Sequence, residues 1–308
     1  MNPDARRGVL YGIGAYGLWG VFPLYFRLLE RSGALEVVVH RVLWSLLVCL
    51  AVVAAVRGWG ELRAALAVPR QVLMLGVGAV LLAVNWGVYI YAVNSGQVIE
   101  ASLGYYVNPL VTVLLGVVVL REKLRPLQWT AVGVGAAAVA VLTWAYGHPP
   151  FIALTLAASF GLYGLIKNRV GVKVGAVTSL TTETLVLALP AAGLLVWLEA
   201  RGDGHFGENP PWQALLLVSV GVATVVPLLF FAAAARRVPL STIGLLQYMT
   251  PTLQLLCGVL LLGEQMSTPR WIGFGLVWVA LVLLTADMLR AASHRRVATR
   301  AAEPVGAA

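Results

Sequence analysis

Tyr106-Val107-Asn108-Pro109-Leu110-Val111-Thr112-Val113-Leu114-Leu115-Gly116 recurs 142 residues later as Tyr248-Met249-Thr250-Pro251-Thr252-Leu253-Gln254-Leu255-Leu256-Cys257-Gly258. The register holds without a gap over positions 106–144, where 12 of 39 pairs are identical. Glu122 pairs with Glu264, Trp129 with Trp271 and Gly133 with Gly275. Toward the N-terminus the offset becomes 144, so that Gly17-Leu18-Trp19-Gly20 falls on Gly161-Leu162-Tyr163-Gly164. The chain is an internal duplication. Two similar halves facing opposite ways across a membrane are the usual build of secondary transporters, because they can rock about a shared central site.

Composition points to lipid as the solvent. Hydrophobic residues make up 60% of the chain and charged residues 11%, against about 25% charged in a soluble domain. The apolar runs approach the roughly 20 residues that a span requires. The 32 glycines suit helices that pack backbone to backbone in a bilayer. A net charge of +9 raises the question of a nucleic-acid partner. The basic residues sit between apolar runs instead of clustering, which excludes that partner class and reads as a topology signal. Cys49 and Cys257 both lie within apolar runs, and His40, His148, His205 and His294 are scattered, so neither a disulfide framework nor a metal site is expected. Arg6 and Arg7 precede the first apolar run as in a signal peptide, but no small-residue cleavage site follows, and the run reads as the first span.

The predicted fold is an all-α integral membrane protein with ten transmembrane helices in two inverted five-helix repeats. The spans fall near 8–29, 37–56, 72–94, 101–120, 127–145, 150–166, 176–198, 212–235, 241–262 and 269–289. The sixth is the shortest. The first repeat covers 8–145, the second 150–290, and 291–308 forms a cytoplasmic tail. Counted by side, 17 of the 22 Lys and Arg fall with the N-terminus and 5 opposite. The positive-inside rule then puts both termini in the cytoplasm. Five spans per half is an odd number, so the second half must be inverted.

Several motifs fail in context. Gly12-Ile13-Gly14-Ala15-Tyr16-Gly17 matches the dinucleotide fingerprint, which needs a strand before it and an acidic residue about 20 positions on; here it lies inside a span. Gly8 and Gly12 form a small-residue pair whose simplest use is close packing within the fold, with a homodimer as the alternative. There is no Walker A loop, zincin motif or nucleophile elbow, so neither nucleotide-driven transport nor these enzyme chemistries are supported.

Polar residues inside spans are expensive and concentrate at functional sites. Arg41 and Glu183 are equivalent under the 142-residue repeat, and each sits roughly 9 Å inside its span. They read as charge-bearing gates at opposite ends, with His40 beside Arg41 as a titratable neighbour and Glu183 as the candidate for proton coupling. Snorkelling to the headgroups is the alternative for Arg41. Asn85 lies mid-span beside Trp86 and needs a hydrogen-bond partner there, either as helix–helix glue or as a cavity wall. Pro109 and Pro251 each remove a helical hydrogen bond, and matched breaks in the two halves mark candidate binding segments. On this basis Asn85, Tyr105, Asn108, Gln247 and Tyr248, together with the repeat-equivalent aromatics Trp19 and Tyr163, are the candidate substrate contacts. Glu100 and Lys167 read as interfacial.

These residues carry a resemblance. Tyr16-Gly17-Leu18-Trp19-Gly20, His40-Arg41-Val42-Leu43-Trp44-Ser45, Asn85-Trp86 with Ala92-Val93-Asn94, Glu100-Ala101-Ser102-Leu103-Gly104-Tyr105, Asn108-Pro109-Leu110, Phe160-Gly161-Leu162-Tyr163-Gly164 and Gln247-Tyr248 together resemble the RarD-type group of the EamA family, in the drug/metabolite transporter superfamily. The likeness covers about residues 8–290. It implies ten helices in two EamA repeats, a multi-pass protein of the bacterial inner membrane, and transport of small metabolites or drugs, often as export. The family often ends its fourth helix with Leu-Gly-Glu. This chain has Leu120-Arg121-Glu122 there and keeps Leu262-Gly263-Glu264 in the second half.

The expected function is secondary active export of a small-molecule substrate by alternating access, with the bilayer as the other partner and protons as the candidate coupling ion. No cofactor is expected, and no enzymatic activity. A non-transporting membrane sensor or accessory protein is the alternative. A membrane enzyme acting on a lipid would need clustered acids that the sequence lacks.

Overall fold

The computed structural model describes residues 3–121, 123–170, 174–206 and 210–302. Every described regular element is helical: α1 Pro3–Gly20, α2 Phe22–Arg27, α3 Gly33–Ala55, α4 Trp59–Leu66, α5 Pro69–Asn94, α6 Val98–Leu120, α7 Pro126–Tyr146, α8 Phe151–Val170, α9 Ala176–Arg201, α10 Pro211–Ala235, α11 Leu240–Leu246, α12 Met249–Leu256 and α13 Thr268–Ala302. A 3₁₀ turn, Glu30–Ser32, precedes α3, and a π turn, Cys257–Leu261, follows α12. Among the described residues nine helical stretches are long and apolar enough to span a membrane, and Phe151–Lys167 is a shorter apolar one. Glu122, and Lys173 from the charge count, lie outside the described residues. The tail expected at 291–308 continues as helix through Ala302.

The helix contacts divide the chain into two packing units. One comprises Met1–Asn108 and Phe151–Gln265, the other Pro109–Pro150 and Met266–Ala308. Each draws helices from both sequence halves. Within the smaller unit α7 packs along α13, and Arg125 pairs with Asp287.

In the larger unit the polar residues explain where helices start and bend. A carboxylate beside the free N–H groups of a helix start replaces partners that lipid does not supply. Glu264 accepts from the N–H of Val98 at 2.6 Å and of Ile99 at 2.9 Å, at the head of α6. Glu100 accepts from the N–H of Ile152 at 2.9 Å, at the head of α8. Glu100 is therefore buried and structural, not interfacial as its position at a span end had suggested.

Pro23 breaks the first span at Val21, giving α1 and α2. Its ring cannot coexist with a helical bond to the carbonyl four residues back. That carbonyl, Trp19 O, accepts instead from Gln254 Nε2 at 3.2 Å. The two matched prolines behave differently from each other. The ninth span is interrupted at Gln247–Tyr248, between α11 and α12, as its proline suggested. The fourth is not, since α6 runs unbroken through Pro109. The broken span begins with the seven-residue α11, which follows Pro239, carries Gly244 and has no side-chain cap. The short helix α4 was not foreseen. It buries Leu62 and Ala65 and packs on α9.

The glycine pair of α1 serves packing inside the chain. A Cβ at Gly8 would stand 2.6 Å from Arg237 Cβ, and one at Gly12 2.6 Å from Leu246 Cδ1. A tighter approach occurs between α10 and α3, where a Cβ at Gly221 would meet the backbone carbon of Trp44 at 2.5 Å and its oxygen at 2.6 Å. Backbone cannot yield as a side chain can, so Gly221→Ala is expected to destabilise the protein by about 1–3 kcal/mol. Gly133→Ala, with nothing within 4 Å of the added carbon, should be close to neutral. Thermal unfolding of both variants in detergent checks the contrast.

Candidate functional site

A cavity of about 420 Å³ lies within the larger unit. Its wall takes residues from α1, α2, α3, α5, α6, α8, α9, α10 and the broken segment around α12. Nine of the lining residues are aromatic. Tyr89 and Tyr105 stand 5.8 Å apart between centroids, Tyr105 and Phe160 6.3 Å, and Phe160 and Tyr163 6.0 Å. Across the cavity wall Trp19 meets Tyr16 at 5.6 Å and Phe231 at 6.2 Å.

The two ends of this cavity differ. One is closed by a cluster of buried side chains from the adjoining ends of six helices: Phe22, Phe26 and Leu29, Val37, Ile90 and Val93, Val98 and Ala101, Leu156, with Leu217 and Val220. The other reaches Val52, Lys167, Ala176 and Leu229, at the opposite ends of α3, α8, α9 and α10, and Ala176 there is exposed.

The structure brings Trp19, Asn85, Tyr105, Asn108, Tyr163 and Gln247 to the wall. Asn85 is both glue and wall. Its Nδ2 donates to Leu156 O at 3.0 Å and to Ser159 Oγ at 3.1 Å, and its Oδ1 accepts from Tyr105 OH at 3.2 Å. The amide thus ties α5 to α8 and fixes the Tyr105 ring. Tyr248 does not line the cavity; at the break the chain turns Gln247 to the cavity and Tyr248 away from it.

Arg41 and His40 part company because consecutive helical residues point about 100° apart. Arg41 faces the cavity, 4% exposed, so it does not snorkel. Its guanidinium lies 4.0 Å from the centroid of Trp86 and 5.5 Å from that of Phe26, and its Nε donates to Thr224 Oγ1 at 2.9 Å. His40 faces a second recess, of about 280 Å³, with Trp44, Leu195 and Glu199. There it stacks on Phe206 at 4.8 Å, and Trp44 Nε1 donates to its Nδ1 at 3.1 Å. That bond places the ring proton on Nε2, so His40 is a neutral packing element away from the cavity.

Glu183 is 2% exposed and fully partnered. Lys167 Nζ donates to Oε1 at 2.6 Å, Ser179 Oγ to the same oxygen at 3.1 Å, and Tyr163 OH to Oε2 at 3.1 Å. Lys167, whose side chain is 29% exposed, lies on the cavity wall near its accessible end, so its position at a helix end is not a merely interfacial one. Glu183 itself stands one hydrogen bond behind that wall. Thr224, Thr250 and Gln254 also line the cavity and were not singled out as contacts. A polar side chain within an apolar run was the available signal, strongest for the amide of Gln254. Among the described residues no group of three or more His, Cys, Asp or Glu assembles as a metal site.

Comparison with known proteins fits this geometry. The model of the EamA-like transporter family matches residues 6–144 and again 150–286. Protein RarD of Streptomyces exfoliatus is 50% identical over 98% of this chain and 95% of its own length. Protein RarD of Escherichia coli K12 is 40% identical over 93% and 96% respectively. A solved crystal structure with 21% identity covers 90% of this chain and 96% of that one at a TM-score of 0.57, which shows the shared fold. The all-helical, apolar, twice-matched chain therefore belongs to the EamA-like transporter family and is a multi-pass bacterial membrane protein.

Proposed function

We propose that the protein is a secondary active transporter of small metabolites or drugs in the bacterial inner membrane, working by alternating access and exporting its substrate. The observation that carries this reading is the cavity with unlike ends, closed by the apolar cluster around Phe26 and Ile90 and accessible beside Lys167. With both termini in the cytoplasm, as the charge count favours, this is an inward-facing state. Repeats at 8–145 and 150–290 would exchange roles in the opposite state. Trp19, Asn85, Tyr105, Asn108, Tyr163 and Gln247 are proposed substrate contacts. The outer gate is assigned to the apolar cluster instead of to His40 and Arg41.

Glu183 is the proposed coupling residue. A proton arriving on its carboxylate would neutralise the partner of Lys167 and release that ammonium toward the cavity, linking protonation to the state of the accessible end. Proteoliposome flux with labelled amino acids, small metabolites and chloramphenicol, with and without an imposed proton gradient, tests the reading. Saturable, gradient-driven flux is expected. Glu183→Gln should lose the response to the gradient and retain substrate exchange; a variant that keeps the gradient response contradicts the coupling assignment. Ligand binding with no flux for any solute would favour a sensor or accessory protein.

The same pair has a stability signature. Removing one partner strands the other, and with Lys167 partly exposed the cost lies between those of surface and buried pairs, about 1–3 kcal/mol. Glu183→Gln and Lys167→Met should each destabilise by this amount, and the double variant by less than their sum. Additive losses in thermal unfolding would show that the two side chains are not coupled.

A further inference from the structure

Arg41 is a buried cation that the transport reading above does not use. Its side chain has three kinds of partner: the rings of Phe22, Phe26 and Trp86, the hydroxyl of Thr224, and the cavity it faces. None of the ion pairs among the described residues includes it. The other charged side chain on the cavity wall, Lys167, is matched by Glu183 at 2.6 Å. The wall therefore carries one uncompensated positive charge. A guanidinium has five N–H donors, and one of them is committed to Thr224. Cation–π contact offsets part of the cost of burial, but an unmatched charge away from water remains unfavourable.

We propose that the transported substrate is a small organic monoanion, a carboxylate on an aromatic or aliphatic body, whose negative group docks on Arg41. The inference deepens the transport reading and rests on it. Charge sets the number of anionic groups: one carboxylate neutralises the wall, while a second would stand unpaired among rings. Ring surface sets the body, since Tyr105 and Phe160 line the same cavity as the guanidinium and the Trp86 ring it rests on. Size agrees, because about 420 Å³ falls in the range of small-ligand sites. The planar fork of Arg matches a carboxylate with two parallel hydrogen bonds, which a lysine at this position would not reproduce.

The test uses full-length protein in a neutral detergent and matched probes: phenylacetate, indole-3-acetate and octanoate, each beside its uncharged amide. Tryptophan fluorescence, with Trp86 against the guanidinium, and thermal unfolding report binding. At least one acid should bind saturably and raise the unfolding midpoint, with its amide at least tenfold weaker. Arg41→Gln should weaken that acid by roughly 30-fold or more and leave its amide unchanged, while Arg41→Lys should recover only part of the affinity. Equal binding of acid and amide, no binding by any acid, or undiminished acid binding by Arg41→Gln overturns the proposal. The acid–amide comparison is made on the unmodified protein, so a misfolded variant cannot hide the answer. Phosphatidylglycerol presents the same single charge on a lipid; protection by it alone, with none by the soluble acids, also overturns the proposal. An acid that binds in detergent but shows no flux in proteoliposomes would defeat the transport reading and leave the anion site standing. Flux that ignores charge would do the reverse.

Discussion

Lipid offers no hydrogen bonds, and that constraint governs this molecule. Every polar group inside a span must find its partner within the protein. Glu264 and Glu100 meet it at helix starts, where they supply the acceptors that the first N–H groups of α6 and α8 require. Gln254 meets it at the carbonyl released by Pro23. Asn85 uses both donors of its amide and its oxygen to join three helices. Because lipid tails are as apolar as the helices, hydrophobic burial adds little drive to helix association. Close backbone approach, as at Gly221 against Trp44, and these directed bonds carry the specificity.

Against that background the cavity is an exception with a purpose. Its wall keeps a paired charge, Lys167 with Glu183, and an unpaired one, Arg41, in a setting where charge is costly. A protein built only for stability would replace both with apolar side chains at little loss. The pair stands at the accessible end, and the lone guanidinium lies deeper, near the apolar closure of Phe22 and Phe26. In the proposed transport cycle, substrate entering from the accessible end would pass the ion pair before reaching Arg41. The two charges are thus arranged in series, with the titratable pair at the mouth and the fixed cation at the closed end.

Much of the fold was legible because lipid simplifies the code. Apolar runs of about 20 residues mark spans, and the described helices begin and end within a few residues of the expected ones, except α13, which runs on to Ala302. Pro23 was also a visible signal, and its break at Val21 went unread because the apolar run continues through it. Helix α4 was missed because Trp59–Leu66 is too short and too charged to register as a span. The site was legible in composition and less so in direction. Six of the seven candidate contacts reach the cavity and Tyr248 does not, and of the neighbouring gate candidates Arg41 faces it and His40 does not, since sequence gives depth along a helix more readily than rotation about it. Lys167 was misjudged for a related reason. A lysine at a helix end is ordinarily solvated, and only the three-dimensional approach of α9 brings Glu183 within 2.6 Å.

If the two ends of the cavity open in turn, a residue in the closure must become reachable from the side opposite to the accessible end. Site-directed thiol labelling in membrane vesicles tests this directly. In a Cys49→Ser, Cys257→Ser background, Ala176→Cys should react with an impermeant maleimide from the cytoplasmic face. Ile90→Cys should be protected in the resting protein and become reactive from the external face during turnover. An Ile90→Cys that stays unreactive from the external face while substrate is being moved, or one that reacts from both faces at once, would contradict alternating access through this cavity.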